Sequence, residues 1–331
     1  MKKFLRRILL FIVVFLCAIP VFFLFGLFIV GNQYQETYSA SIIDKVARLK
    51  SINEPKIIIV GNSNLPYGIN SAMIESAMNM PVVNLGLTGY YMTDSFLENI
   101  AKLSMNSGDI IIAGHSNFTD DGIIHEPLSE WTTIEYHFDL WPILDKEDYF
   151  TMIIYYPSYW LRSFALWITR QGNKANPLVE AFTYSRRSLN KYGDIPEKPE
   201  VNRGDFRDSK VKVPEINDRC VNRLNKYNAY IKSKGATFLI AGYPILENEF
   251  TPPKEEYDKF QRELESRVDC EVISNYRDYF IPYKYFYDSH LHLDNEGAKI
   301  RTGQLIKDLK RWQSKQQNKT GNLEDSRQIF I

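Results

Sequence analysis

The chain has 331 residues, and its 40 basic and 40 acidic side chains cancel, so no net charge draws it toward nucleic acid. A hydrophobic content of 44% with 24% charged residues excludes a disordered or fibrous chain. Setting aside an apolar N-terminus and a polar tail leaves roughly 270 residues, enough for one large domain with its own core. Tyr and Phe dominate an aromatic content of 14%, which fits a large aromatic core first and carbohydrate or membrane-surface contacts second.

Lys2, Lys3, Arg6 and Arg7 precede an uncharged apolar stretch, Ile8 to Val30. As a helix rising about 1.5 Å per residue, it would span roughly 34 Å, slightly more than a hydrocarbon core of ~30 Å. Residues 1–34 are therefore expected to be a cytoplasmic stub and a single transmembrane anchor, inserted through residues 8–30. The next charge is Glu36, so the excess of basic residues before the span puts the N-terminus in the cytoplasm. The main domain then lies outside the cytoplasm, periplasmic or extracellular. A signal peptide cleaved near Ser39–Ser41 is the rival reading, but its apolar region would exceed the usual ~7–15 residues. Leu16 stands where a lipobox needs a small residue, which argues against a lipid on Cys17. Cys220 and Cys270 fit one disulfide or two free thiols equally and make no metal-ligand pattern.

Residues 35–54 read as a linker, and an α/β pattern begins at residue 55. Lys56–Val60 (KIIIV) is a β-branched run too short for a helix and closed by Gly61. Residues 70–79 read as helix, Pro81–Leu85 as a second buried strand, residues 92–106 as helix and Asp109–Ala113 as a third strand. Strands interleaved with helices imply βαβ units and a mainly parallel sheet flanked by helices. The alternation stops over residues 119–213, read as an insertion covering one end of the sheet. It holds an aromatic segment, Tyr155–Trp167, expected to be an amphipathic helix on the core; a membrane surface or a substrate groove are its other readings. The pattern resumes with a helix at Ile216–Lys234, a strand at Thr237–Ala241, a helix at Lys254–Val268, a short strand at Glu271–Ile273 and a last helix from about Asn295 to Trp312. Residues 313–331 lack apolar periodicity and are expected to be disordered.

Two segments carry the chemistry. The first strand runs into Gly61-Asn62-Ser63-Asn64 and then Gly68-Ile69. A hydroxyl at the carboxyl end of a strand, at the start of a strand-to-helix turn, lies where open α/β sheets bind ligands, beside free helix N–H groups suited to an oxyanion. The second segment, Asp288-Ser289-His290-Leu291-His292-Leu293-Asp294-Asn295-Glu296-Gly297, holds two of the five histidines and an aspartate just before the last helix. A nucleophilic serine needs such a base, and the base needs an acceptor on its other ring nitrogen. No metal-ligand spacing, P-loop, dinucleotide fingerprint or Gly-x-Ser-x-Gly elbow is present, and no cofactor is implied.

Gly61-Asn62-Ser63 with Gly68-Ile69, then Asn84-Leu85-Gly86, then the late Asp–His followed by Leu-Asp-x-x-Gly, resembles the SGNH (GDSL-like) hydrolase superfamily. More narrowly, it resembles the membrane-anchored branch that includes alginate O-acetylation proteins and the D-alanine transfer protein of teichoic acid. The resemblance covers residues 55–312, interrupted by the insertion, and implies a flavodoxin-like three-layer sandwich. It also implies roles: Ser63 as nucleophile and oxyanion donor through its N–H, Gly86 and the Asn117 amide as further donors, His292 as base and Asp288 as its orienting acid. Gly-Asn-Ser replaces the family's usual Gly-Asp-Ser, and Gly-x-x-Asn (Gly114 to Asn117) replaces Gly-x-Asn. Asp288 stands four residues before His292 rather than three, which keeps His290 as the alternative base.

By this resemblance the expected protein is a serine acyl-transfer enzyme of the cell envelope, an O-acyl(acetyl)transferase or an esterase. Its expected substrate is a cell-surface or exported glycan, and its expected partner a multipass membrane protein supplying activated acyl groups. The other expectation is a non-catalytic glycan-binding or assembly protein of the same fold.

Overall fold

The computed structural model describes residues 2–88, 103–114, 116, 118–119, 128–144, 146–172, 184–198 and 206–328. Four strands with almost unbroken apolar runs, β1 (Ile57–Val60), β2 (Val82–Asn84), β3 (Ile110–Ala113) and β4 (Thr237–Ile240), pair in parallel in the order β2-β1-β3-β4. A fifth strand outside them, β6 (Glu271–Val272), completes the sheet beside β4. Two smaller pairings lie apart: β5 (Ile245–Glu247) with β7 (Phe280–Pro282), and an antiparallel hairpin of β8 (Phe286–Ser289) and β9 (His292–Leu293).

The runs are unbroken because both faces of the sheet are covered. Ile58, Val60, Ile111, Phe238 and Ile240 join one hydrophobic cluster, while Ile57, Ile59, Ile110, Ile112 and Leu239 join another on the opposite face. On the first side lie α2 (Ile42–Ser51), α7 (Asp218–Ser233) and α8 (Lys254–Arg267), through residues such as Leu49, Leu224 and Leu264. On the second lie α4 (Ser71–Met78) and α9 (Asn295–Gln328), through Ile74, Leu305 and Leu309. The protein is thus a mixed α/β fold with a mainly parallel central sheet flanked by helices.

Two boundaries differ from the sequence reading. Residues 35–54 are not a linker: Ile42, Val46 and Leu49, one face of α2, are buried in the core. The backbone of α9 continues to Gln328, well past Trp312, through a segment rich in strong helix formers and free of proline, so the tail expected to be disordered is largely helical. The insertion meets one end of the sheet. Its residues Tyr192 and Asp194 reach the end of β2, where the Tyr192 carbonyl accepts from the Asn84 N–H at 2.8 Å. The helix read at residues 92–106 falls mostly outside the described residues.

At the N-terminus α1 (Lys2–Phe25) and a π-turn, Gly26–Val30, form one helix long and apolar enough to cross a membrane. The aromatic segment lies within α6 (Lys146–Thr169), which follows a short helix, α5 (Ser129–Ile134). Its inner side, including Met152 and Tyr159, packs on Trp131 of α5, whose ring stacks on Tyr159 at 4.6 Å. Glu135, just beyond α5, accepts from the N–H groups of Gln33 and Tyr34 at 2.7 and 3.0 Å and from the Tyr159 hydroxyl at 3.0 Å. The chain leaving α1 is thereby tied to the body of the domain.

Candidate active site

Ser63 sits where β1 ends. Gly61 has φ +154°, and a Cβ there would meet Leu65 Cδ1 at 2.9 Å and the Gly114 carbonyl at 3.2 Å, so the turn requires glycine. Ser63 follows two residues later as the N-cap of α3 (Asn64–Gly68), half-exposed, above the carboxyl edge of the sheet. The chain passes from β1 to β2 on one side and then to β3 on the other, so this edge is the point at which the winding of the sheet reverses. Ligand crevices of open α/β sheets form at such points.

Across from it, β8 and β9 make a hairpin in which Ser289 pairs with His292. His290 is at the exposed tip, while His292 is buried and faces Ser63. His292 Nε2 lies 2.8 Å from Ser63 Oγ, and His292 Nδ1 lies 2.7 Å from Asp288 Oδ1. A carboxylate can only accept, so Nδ1 carries the proton and Nε2 is left to accept from the Ser63 hydroxyl. Of the two histidines considered as base, the hairpin therefore brings His292 and not His290 to the serine. Burial raises the Asp288 carboxyl, but the hydrogen bonds from His292 and Tyr184 outweigh it and hold the group below its ordinary value, hence ionised.

Two tyrosines that sequence reasoning missed complete the arrangement. The Tyr184 hydroxyl donates to Asp288 Oδ2 at 2.6 Å, so both oxygens of that carboxylate are held. Burial and the neighbouring Asp288 charge keep the Tyr184 phenol protonated and able to donate. The fully buried Tyr67 ring stacks on the His292 imidazole with centroids 4.0 Å apart and planes 7° from parallel, fixing its plane. Tyr67 lies four residues after the serine on α3, and its turn of helix carried no visible signal. Tyr184 lies inside the insertion, 104 residues from its partner.

The oxyanion donors divide. The Ser63 N–H makes no hydrogen bond to any described residue. The Gly86 N–H is engaged: it donates to Asn84 Oδ1, two residues back, at 3.0 Å. Asn117 lies outside the described residues. Gly86 nevertheless needs to be glycine, since a Cβ would fall 2.5 Å from Pro66 Cδ and 2.6 Å from Leu65 Cβ.

Asn84 belongs to a buried polar knot behind the site. Its Nδ2 donates to Asp194 Oδ1 at 2.9 Å, and Asp194 also accepts from the Ser71 N–H and hydroxyl, both at 2.7 Å. The Lys45 ammonium donates to the carbonyls of Asn84, Gly86 and Gly193 at 3.0, 2.7 and 2.9 Å. On the other side, the buried Arg301 of α9 donates to the Asn64 carbonyl at 2.7 Å and so fixes α3 from beneath. Asp294, in the Leu-Asp-x-x-Gly block, caps α9 by accepting from the Gly297 N–H at 2.8 Å, while Gly297 leaves room for the Tyr285 carbonyl 2.4 Å from where a Cβ would stand.

Among the described residues no three His, Cys, Asp or Glu side chains converge as metal ligands. Cys220 and Cys270 are buried free thiols, and burial pushes the Cys270 thiol up to about 12, far from a reactive thiolate. The arrangement at Ser63 is suited to proton transfer from a hydroxyl to an imidazole that a carboxylate orients. Comparison of the chain with protein-family models finds no match, and comparisons with curated proteins and with solved structures likewise find none.

Proposed function

We propose that this protein is a membrane-anchored serine acyl-transfer enzyme of the cell envelope, similar to the SGNH hydrolases. Ser63 is its nucleophile, His292 its base and Asp288 the acid that orients the base. The observation that carries this reading is the continuous relay Ser63 Oγ–His292–Asp288, with links of 2.8 and 2.7 Å, between residues 229 positions apart in sequence. As Ser63 Oγ bonds to the carbonyl carbon of an ester or thioester, its proton passes to His292 Nε2. The tetrahedral oxyanion is stabilised by the Ser63 N–H, and such a donor contributes on the order of 3 kcal/mol. Collapse expels the alcohol or thiol, which takes the proton from His292 and leaves an acyl-serine. The same imidazole then deprotonates water, making the protein an esterase, or an acceptor hydroxyl, making it an O-acyltransferase.

The apolar N-terminal helix supports a single-pass anchor, and the basic residues before it support a cytoplasmic N-terminus with the main domain outside. A surface or exported glycan is the proposed acyl acceptor or substrate, with a multipass membrane protein as acyl donor. Both rest on the resemblance of the sequence blocks.

A non-catalytic, glycan-binding or assembly role is the second reading. The engaged Gly86 N–H favours it, because it takes up one of the three oxyanion donors the resemblance implies. Labelling of the detergent-solubilised full chain with a fluorophosphonate probe separates the two. Labelling of wild type that disappears in Ser63→Ala and His292→Ala, both folded, is the expected result. A folded wild type that neither labels nor turns over p-nitrophenyl acetate would leave the binding role.

A further inference from the structure

Large apolar side chains are not exposed evenly over this protein. Apart from Phe138, Phe250 and Ile300, every exposed large apolar side chain among the described residues lies on α1, on the π-turn that follows it, or on α6. On α6 the exposed side is a stripe: Phe150, Ile154, Leu161 and Ile168 recur four, seven and seven residues apart, which places them on one face of the helix. The opposite face, with Met152, Tyr159 and Ser163, is the one buried against the domain. Tyr and Trp side chains flank the stripe, as they do where elements meet a membrane–water boundary.

The stripe is continuous with the helix that is apolar enough to span a bilayer. Trp160 Nε1 donates to the Phe22 carbonyl at 3.2 Å, its ring meets Phe22 edge-on at 5.4 Å, and Phe25 packs on Trp160, Phe164 and Trp167. Gly26 makes this approach possible, since a Cβ there would lie 2.5 Å from the Tyr136 hydroxyl and 3.0 Å from Trp160 Cδ1. With the carboxyl half of α1 in a bilayer, α6 cannot be far from the hydrocarbon. Between the two helices is a cavity of about 550 Å³, walled by Pro20 and Phe23 of α1 and by Met152, Ile153 and Tyr156 of α6. The polar atoms of its aromatic walls are turned elsewhere. The Trp131 indole N–H donates to the Met152 carbonyl, the Trp141 N–H to the Glu135 carbonyl, the Tyr149 hydroxyl to the Trp141 carbonyl, and the Tyr156 hydroxyl pairs with that of Tyr136. What remains facing the cavity is carbon, so a sugar or a headgroup gains nothing there and a hydrocarbon chain does.

We propose that α6 is a second membrane-seated element, lying with its Phe150–Ile168 stripe in the outer boundary of the bilayer beside α1, and that the α1–α6 cavity holds one acyl chain of a bilayer phospholipid. The occupant is a phospholipid because the cavity wall is part of the spanning helix, where phospholipid is the molecule at hand. The proposal rests on α1 crossing the membrane and is independent of the chemistry at Ser63. Its consequence is positional: the domain is held against the membrane by two helices rather than swinging from one.

The test uses the full chain in phosphatidylcholine vesicles. In a Cys17→Ser background, with Cys220 and Cys270 buried, an environment-sensitive fluorophore is attached at Phe150→Cys, Ile154→Cys or Leu161→Cys. Spin-labelled lipid is expected to quench each at least twofold more than a fluorophore at Lys299→Cys on the far surface, and aqueous iodide is expected to spare them. Quenching by iodide but not by lipid overturns the proposal. Protection from both overturns it as well, and shows that protein, such as a second copy of the chain, covers the stripe. For the cavity, native mass spectrometry after mild detergent extraction should find one phospholipid retained by wild type and by Ile168→Trp, and lost from Ile153→Trp, which blocks the mouth from an exposed position. No lipid on wild type, or equal retention by both variants, overturns the cavity assignment.

Discussion

Two polar clusters stand at the carboxyl edge of the same sheet, a few residues apart, and they have opposite character. In the knot behind β2, every acceptor on Asp194 and every donor on Lys45 faces a partner, and Asn84 is locked at both ends of its amide. In the candidate site after β1, Asp288 and His292 are equally well held, but the relay ends on a half-exposed hydroxyl and an N–H at Ser63 that no described residue engages. Location at a strand's carboxyl end is therefore not what makes a site. Unspent hydrogen-bonding capacity at an accessible atom does, and satisfied capacity makes a brace. Gly86 shows how narrow the difference is: it lies at the same edge, yet its N–H belongs to the brace.

The comparison can be broken where the two clusters should respond differently. The largest effect expected is in the relay. Asp288→Asn leaves the geometry but favours the wrong imidazole tautomer, and should lower hydrolysis of an activated ester on the order of 10⁴-fold with the unfolding midpoint little changed. In the knot, Asp194→Ala leaves the Asn84 and Ser71 donors without their acceptor and the Lys45 ammonium, still held by three carbonyls, without its nearby counter-charge. It should destabilise the fold by about 3–5 kcal/mol, read as an unfolding transition, while any folded fraction keeps its turnover per molecule. Equal loss of turnover in a fully folded Asp194→Ala would erase the distinction between brace and site.

A third cluster tests whether a brace can also titrate. Burial pushes the Glu135 carboxyl up from its ordinary 4.5 to about 7, against the hydrogen bonds from Gln33, Tyr34 and Tyr159. Between those values the folded protein holds a proton that the unfolded chain has released, so stability contributed by the protonated form is lost as pH rises. Relative to Glu135→Gln, wild type should lose on the order of 2 kcal/mol between about pH 4.5 and pH 7, measured as thermal midpoints of both proteins across that window. Parallel curves would show that Glu135 is ionised throughout. The smallest effect expected is at Tyr184→Phe. Removing one neutral donor from Asp288 should cost about 1 kcal/mol, or roughly fivefold in kcat. If Tyr184 acts by holding Asp288 charged, the acid limb of the pH–rate profile should also move upward; a change in stability alone would make it packing.

Much of the architecture was legible because its signals are local. KIIIV, PVVNL, DIIIA and TFLIA, each closed by glycine or followed by a helical stretch, mark buried parallel strands from the sequence alone, since only a sheet covered on both faces drops its polar alternation. The apolar run before Gly31 and the turn Gly61-Asn62-Ser63 are equally local. Helix α2 was missed because its apolar positions, Ile42, Val46 and Leu49, fall in a short, charged segment beside a far stronger signal.

What only the tertiary structure decided depends on separations the sequence cannot measure. Whether His290 or His292 faces Ser63 is set by a two-residue hairpin tip, which turns one ring outward and the other in. Tyr184 has no reason to be paired with Asp288 until the insertion returns to the sheet edge. The aromatic segment could be assigned a helical period from its spacing, but not which side faces out. That its exposed face is the apolar one became visible only with α6 packed against α1, because exposure belongs to the assembled surface and not to any residue in the chain.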